Sequence, residues 1–328
     1  MSWLLFYYIM LIIFAVLAAF LNSRGKIGYS FFFLVFIGYS YLSRTDEPKN
    51  DTLAYDNFMQ LPLSYYYDFY YLREPIYWFS SKFLYDYFEN TIPVYIFIDL
   101  LSIALFLYAL YKSKYQTYFL YIFTVFFVSV LGFQNVYRQY LATFFIIASL
   151  FLLADRKHIW KLVTLGFGVL THNVAALFFP MLLASKKINS IWKMLIALLP
   201  LAIALRFLSG SKSNTETGET DPILYVIVFL LTMILFMALN KLRFTGKYLK
   251  YFYYYIYSAI LIAISLPLFG QAQVKRVAMI CLLISLFILY ETIENKFKDY
   301  QLIVMRIIFV LLSVAPIAVS TTLQEMLS

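Results

Sequence analysis

Long apolar runs recur along this chain of 328 residues, and they constrain its fold more than any other feature. Such runs are long enough to cross a bilayer whose hydrocarbon core is about 30 Å thick. Inside a bilayer each backbone N–H and C=O group needs a partner within the protein, so each run is predicted to be a helix. The chain is only 13% charged, whereas soluble domains are about 25% charged. We therefore predict an all-α, polytopic integral membrane protein.

The apolar runs predict about 10–11 transmembrane helices in a single transmembrane domain that covers residues 1–328. Two polar connections stand out, a long one at 43–91 and a short one at 209–221. The long one contains an amphipathic stretch, IYWFSSKFLYDYF, that is predicted to be a helix at the membrane interface. The predicted apolar segments are 3–21, 27–42, 92–111, 115–131, 139–154, 159–184, 194–208, 222–240, 251–269, 277–290 and 301–320.

Lysine and arginine lie in short clusters between the apolar runs, which is their usual topogenic arrangement. The net charge of +9 therefore indicates membrane orientation rather than a nucleic-acid surface. The bias places connections 43–91, 132–138, 209–221 and 270–276 on the extracytoplasmic side. Cys281 is the only cysteine, which excludes a disulfide framework within the chain. Segment 3–21 lacks a basic start and a small-residue cleavage site, so we expect a retained span rather than a removed signal.

Segment 159–184 conflicts with a simple alternation of sides, because basic residues flank both of its ends. A re-entrant or broken helix that turns near Thr171-His172-Asn173 would resolve the conflict. Such a break is tolerated at membrane depth only against protein or a water-filled cavity. A single tilted helix with an imperfect charge bias is the alternative, and the sequence leaves both open.

The sequence FQNVYRQYLA places an arginine at the start of an apolar helix on the outer side, where topogenic bias disfavours it. On a helix Asn135 and Gln139 share a face, with Arg138 beside them. A guanidinium matches phosphate oxygens, and the free amides of a helix start add to that attraction. The alternative is an interfacial arginine whose charged end reaches water.

Two further features carry polar groups into apolar surroundings. His172 lies midway through segment 159–184, and such groups are candidates for function, although a lone histidine is more often a core residue. Arg276 opens another outer helix.

The chain has no Gly-x-Ser-x-Gly serine motif and no P-loop. Its two histidines and one cysteine are too few for a usual haem or zinc site.

The order of these motifs resembles the Wzy and EpsG type of polysaccharide polymerase over residues 1–185. The elements are D-x-x-x-Y at 51–55, E-P-x-Y at 74–77, N-x-x-R-Q at 135–139 and H-N-x-A at 172–175. The resemblance implies a glycosyltransferase at the periplasmic face of the bacterial inner membrane. It would join oligosaccharide repeat units carried on undecaprenyl diphosphate into O-antigen, capsule or exopolysaccharide. A chain-length regulator, a flippase and a ligase are the implied partners.

That reaction suggests roles for the candidate residues. Positive charge must stabilise a diphosphate leaving group, and Arg138 and Arg276 fit this role. A general base can take the proton of the attacking sugar hydroxyl, and His172, Glu74 and Asp51 are open candidates for this role. No cofactor is required, although Asp46 and Glu47 leave room for a divalent cation. The implied substrate-binding residues are Arg276, Asn135, Gln139, Tyr55, Tyr77, Tyr137 and Arg44.

Two other functions use the same features. A transporter or flippase of a lipid-linked or anionic solute could hold phosphate with the same arginines. The lack of a detectable internal repeat and the position of the polar residues on one face argue against it. An O-antigen ligase or a lipid-linked sugar transferase would use related donors.

Overall fold

A computed structural model describes residues 3–21, 24–45, 51–127, 136–154, 156–185, 189–209 and 222–318. These residues are almost entirely helical and contain no strand, which confirms the predicted all-α membrane bundle. Three helices within them are long and apolar enough to cross a membrane, namely Thr91–Lys112, Lys247–Phe269 and Gln273–Lys296, and shorter apolar helices accompany them. The total number of spans stays a prediction.

The helices follow the predicted apolar segments closely, and the long connection 43–91 contains three more. They are α1 (Trp3–Leu21), α2 (Lys26–Thr45), α3 (Asp51–Met59), α4 (Phe69–Leu72), α5 (Pro75–Phe88), α6 (Thr91–Lys112), α7 (Thr117–Phe127), α8 (Tyr137–Ile147), α9 (His158–Thr171), α10 (Ser190–Ser209), α11 (Ile223–Leu239), α12 (Lys247–Phe269), α13 (Gln271–Lys296) and α14 (Asp299–Ala318). Residues 210–221 of the predicted connection 209–221 lie outside the described residues.

The chain groups into two compact units, one of residues 1–175 and 317–328 and the other of residues 176–316. In the first unit α1 packs on α7, α2 on α6 and α8 on α9, while α5 contacts both α6 and α9. The amphipathic helix is confirmed as α5. It buries Tyr77 and Trp78 and exposes Phe83 and Tyr87, so it has one buried face and one exposed apolar face, as an amphipathic helix does.

The second unit is built around α13, which packs against α11 and α12. Thr232 of α11 donates a hydrogen bond to Ser285 of α13 at 2.9 Å. Gly270 alone joins α12 to α13 and has a φ of 81°, a backbone conformation that glycine adopts without strain. The apolar pattern of the sequence predicts that this helix begins at position 277. It begins at Gln271 instead, so Lys275 and Arg276 lie within the helix rather than before it.

The predicted break near His172 is present. Helix α9 ends at Thr171, His172 is extended (φ −154°, ψ 125°), and a 3-10 segment, Asn173–Leu183, follows. Pro180 within that segment lacks a backbone N–H and could not donate in a continuing α-helix. A single uninterrupted helix is therefore excluded.

Candidate functional site

Three of the sequence motifs meet at the carboxylate of Glu74, in the first unit. Arg138 Nη1 donates a hydrogen bond to Glu74 Oε2. The backbone N–H of Asn173 donates to Glu74 Oε1 at 3.1 Å, and His172 Nδ1 lies 3.6 Å from the same oxygen. Arg138 and Asn173 lie 64 and 99 positions after Glu74 in the sequence, and both bind its carboxylate. We refer to Glu74, Arg138, His172 and the Asn173 amide as the Glu74 cluster.

The start of α5 places Glu74 in this cluster. Glu74 is the residue before α5, and Pro75 opens the helix, where its missing N–H costs nothing. The Glu74 side chain makes no hydrogen bond to the start of its own helix. Its carboxylate is therefore available to groups from other elements, although the residue is only 2% exposed.

The packing of α8 on α9 sets Arg138 beside His172. The two helices are antiparallel neighbours: Ser149 donates to the carbonyl of Lys161 at 3.0 Å, and Phe145 stacks on Phe167. At the next residue of α9, a Cβ at Gly168 would lie 3.1 Å from the Phe145 Cβ. Because the two helices are antiparallel, the same packing brings the first turn of α8 next to the last turn of α9.

We predict that Gly168→Val separates α8 from α9 and destabilises the protein by about 1–3 kcal/mol, the usual cost of overpacking. Gly166→Val is the matched control, because a Cβ at Gly166 meets nothing within 4 Å. Thermal unfolding of the two variants in the same detergent measures the difference. Equal unfolding temperatures would contradict the close approach at Gly168.

Aromatic side chains enclose the guanidinium of Arg138. It lies over the Trp78 ring at 4.7 Å from the ring centre. Arg138 Nε donates to the Tyr55 hydroxyl at 3.4 Å, and Nη2 donates to the Tyr70 hydroxyl at 3.3 Å. The Arg138 side chain is 13% exposed. Partial exclusion of water strengthens its attraction for an anion, since screening is weaker than at an open surface.

His172 can hold its ring in two ways. In one neutral tautomer the proton lies on Nε2, and Nδ1 accepts a hydrogen bond from the backbone N–H of Val174 at 3.2 Å. When the ring is charged, Nδ1 carries a proton directed at Glu74 Oε1, 3.6 Å away. In the other neutral tautomer Nδ1 keeps this proton towards Glu74, and Nε2 is the nitrogen that can accept a proton from a substrate.

The pKa of the Glu74 carboxyl lies below its ordinary value of 4.5. Burial raises the pKa, but the charges of His172 and Arg138 and the hydrogen bond from the Asn173 amide together lower it more. Glu74 is consequently a carboxylate at neutral pH. A carboxylate with a lowered pKa is a weak base, so this environment favours Glu74 as a fixed negative charge over a proton acceptor.

A carboxyl with a lowered pKa stabilises the folded state above pH 4.5, and this contribution is lost as the pH falls through the lowered pKa. We expect Glu74→Gln to reduce the free energy of unfolding at pH 7 by about 2 kcal/mol. The difference from the wild type should shrink as the pH falls below 4.5. Unfolding temperatures measured from pH 7 to pH 3.5 test this, and a constant difference over that range would contradict it.

The other predicted residues lie in several places. Asp51 is the first residue of α3, four positions before Tyr55. Tyr77 and Tyr137 are 1% and 0% exposed, so protein covers both rings. Gln139 is also buried within the first unit.

Arg44 and Arg276, two of the predicted substrate-binding residues, are not members of the Glu74 cluster. Arg44 is buried and pairs with Asp99, while Arg276 lies in the second turn of α13, in the second unit. Asn135, Asp46 and Glu47 lie outside the described residues. Within the part of the chain that the structure describes, no three His, Cys, Asp or Glu side chains are grouped to hold a metal ion.

Sequence reasoning did not find Trp78, Tyr70 or Asp99. Trp78 and Tyr70 carry no local signal among 31 tyrosines and 4 tryptophans. Asp99 does carry one, because it is the only acidic residue in the apolar segment 92–111. An acid within a membrane segment is a candidate for a specific role.

Comparison with known proteins confirms the family resemblance that the motifs indicated. The model of the EpsG family matches residues 26–326, which is nearly the whole chain. The chain belongs to the EpsG family. No curated protein and no solved structure matches it significantly. EpsG family membership, together with the apolar helices, supports a multi-pass membrane protein with the general role of a polysaccharide polymerase, a glycosyltransferase-like activity.

Proposed function

We propose that this protein is a glycosyltransferase that polymerises oligosaccharide repeat units linked to undecaprenyl diphosphate, at the outer face of the bacterial cytoplasmic membrane. The observation that carries the proposal is the Glu74 cluster, in which an arginine, a carboxylate and a histidine from three separate motifs meet. EpsG family membership supports the reaction class.

Arg138 is assigned to the leaving group. Transfer of the growing glycan releases a lipid diphosphate, and negative charge grows on its bridging oxygen as the glycosidic bond breaks. The guanidinium of Arg138 is held by Glu74, Tyr55 and Tyr70, so little reorganisation is needed when that charge develops. Arg276, in the second unit, stays a predicted substrate-binding residue on the basis of its charge and its position near the start of α13.

His172 is assigned to the acceptor. The attacking sugar hydroxyl loses a proton as its oxygen bonds to the anomeric carbon. His172 accepts that proton at Nε2, in the neutral tautomer whose Nδ1–H faces Glu74, and Glu74 Oε1, 3.6 Å from Nδ1, balances the charge of the resulting imidazolium. Glu74 therefore serves both groups: it orients Arg138 and balances the charge on His172. Asp51 remains the alternative base on α3.

Surface glycan from cells that lack this protein tests the proposal against a flippase or a ligase. Loss of a polymerase leaves single repeat units attached at the surface. Loss of a flippase removes the surface glycan altogether, and loss of a ligase leaves long chains that are still lipid-linked. Electrophoresis of surface glycan and of the lipid-linked pool separates the three, and anything other than single repeats would overturn the proposal.

A further inference from the structure

A second buried cluster lies beside the Glu74 cluster in the first unit, and it contains an ion pair. Arg44 Nε and Nη2 donate to Asp99 Oδ2 and Oδ1 at 2.9 and 3.1 Å. The two side chains are 1% and 0% exposed. Ser40 also donates to Asp99, at 2.9 Å. These contacts join α2 to α6, and the bidentate pairing of Arg44 with Asp99 permits little variation in distance or angle.

Helix α8 is attached to the same ion pair through its first residue. The Tyr137 hydroxyl donates to Asp99 Oδ1 at 2.7 Å, and the Arg44 guanidinium lies 4.5 Å from the centre of the Tyr137 ring. Val136, the residue before α8, makes no side-chain hydrogen bond to the helix start. Tyr137 therefore links the first turn of α8 to the ion pair.

Tyr137 also contacts the helix that carries Glu74. Its ring meets the Tyr77 ring edge-on at 5.9 Å, and Tyr77 lies in the first turn of α5, which Glu74 precedes. Arg138 follows Tyr137 directly in the sequence. One side chain thus connects the buried ion pair with both partners of the Glu74–Arg138 interaction.

We propose that Ser40, Arg44, Asp99 and Tyr137 form a positioning network that fixes Arg138 against Glu74, and that Arg44 acts there rather than on substrate. The proposal rests on the function proposed above. A buried ion pair is weak evidence for stability, since an apolar core can be equally stable. It does specify one arrangement of the helices it joins, which is what a fixed guanidinium requires.

Tyr137→Phe tests the network because it removes only the hydroxyl and leaves the ring and the ion pair in place. Polymerisation by the purified protein should show kcat lowered about 10- to 100-fold, the effect of a small misplacement, with KM changed by less than about twofold. Tyr95→Phe is the matched control. The Tyr95 ring also lies 4.5 Å from the Arg44 guanidinium, but its hydroxyl faces Asp56 rather than Asp99, so this variant should keep the wild-type rates.

A further measurement separates positioning from general damage. Hydrogen exchange of the amides at 138–141 should become faster in Tyr137→Phe and stay unchanged in Tyr95→Phe. Wild-type kcat and exchange in Tyr137→Phe, equal losses in both tyrosine variants, or a raised KM with unchanged kcat would overturn the proposal.

The exchange experiment also distinguishes this inference from the function on which it rests. If the wild type forms no polymer, the proposed function fails, and the exchange rates still show whether Tyr137 holds the start of α8. If the wild type polymerises while Tyr137→Phe matches it in rate and exchange, only the positioning network fails.

Discussion

Replacing Arg138 by alanine should abolish long-chain polymer while single repeat units continue to reach the surface. The change removes the cation assigned to the diphosphate leaving group, and loss of one such stabilising group lowers kcat about 10²- to 10³-fold. Arg138→Lys should also be strongly impaired. Lysine keeps the charge but cannot donate to Glu74, Tyr55 and Tyr70 together from a planar fork. Electrophoresis of surface glycan measures the chain length.

Folding must be separated from catalysis in this experiment, because Arg138→Ala also leaves a buried carboxylate without its main partner. The double variant Arg138→Ala with Glu74→Gln removes that charge and should restore the protein level without restoring polymer. Long chains from a stably expressed Arg138→Ala protein would contradict the role given to Arg138.

Replacing Arg44 by alanine should destabilise the protein by about 3–5 kcal/mol, because it leaves the Asp99 charge unpaired and fully buried. The double variant Arg44→Met with Asp99→Asn removes both charges and keeps an acceptor for Tyr137 and Ser40. Most of the lost stability should return in this variant. Unfolding temperatures in detergent measure both effects, and a loss below about 1 kcal/mol in Arg44→Ala would be typical of an exposed pair instead.

Sequence patterns were sufficient for features that depend on local chemistry. The length of segment 159–184, its basic flanks and the polar Thr171-His172-Asn173 triplet indicated a break at His172 as one of two alternatives, and the structure contains this break. Pro75 predicted the start of α5. These features could be predicted because their causes are local. An apolar run must form a helix in a bilayer, and proline lacks a backbone N–H wherever it occurs in the chain.

Features that depend on distant packing could not be predicted in the same way. The sequence marks Arg44 as a charged residue, but nothing near it identifies its partner Asp99, which lies 55 residues away. Similarly, Trp78 packs on Arg138 only because α5 contacts α9 and α9 contacts α8. The start of α13 was predicted too late, because its polar first turns, which include Lys275 and Arg276, lack the apolar pattern on which the prediction depended.

The most direct measurement uses the purified protein in proteoliposomes with a synthetic oligosaccharide linked to undecaprenyl diphosphate. Wild-type protein is predicted to convert it into a ladder of longer lipid-linked chains and to release undecaprenyl diphosphate, whereas Arg138→Lys protein should give almost none of either. Movement of the intact lipid-linked oligosaccharide across the bilayer, without chain extension, would contradict the account.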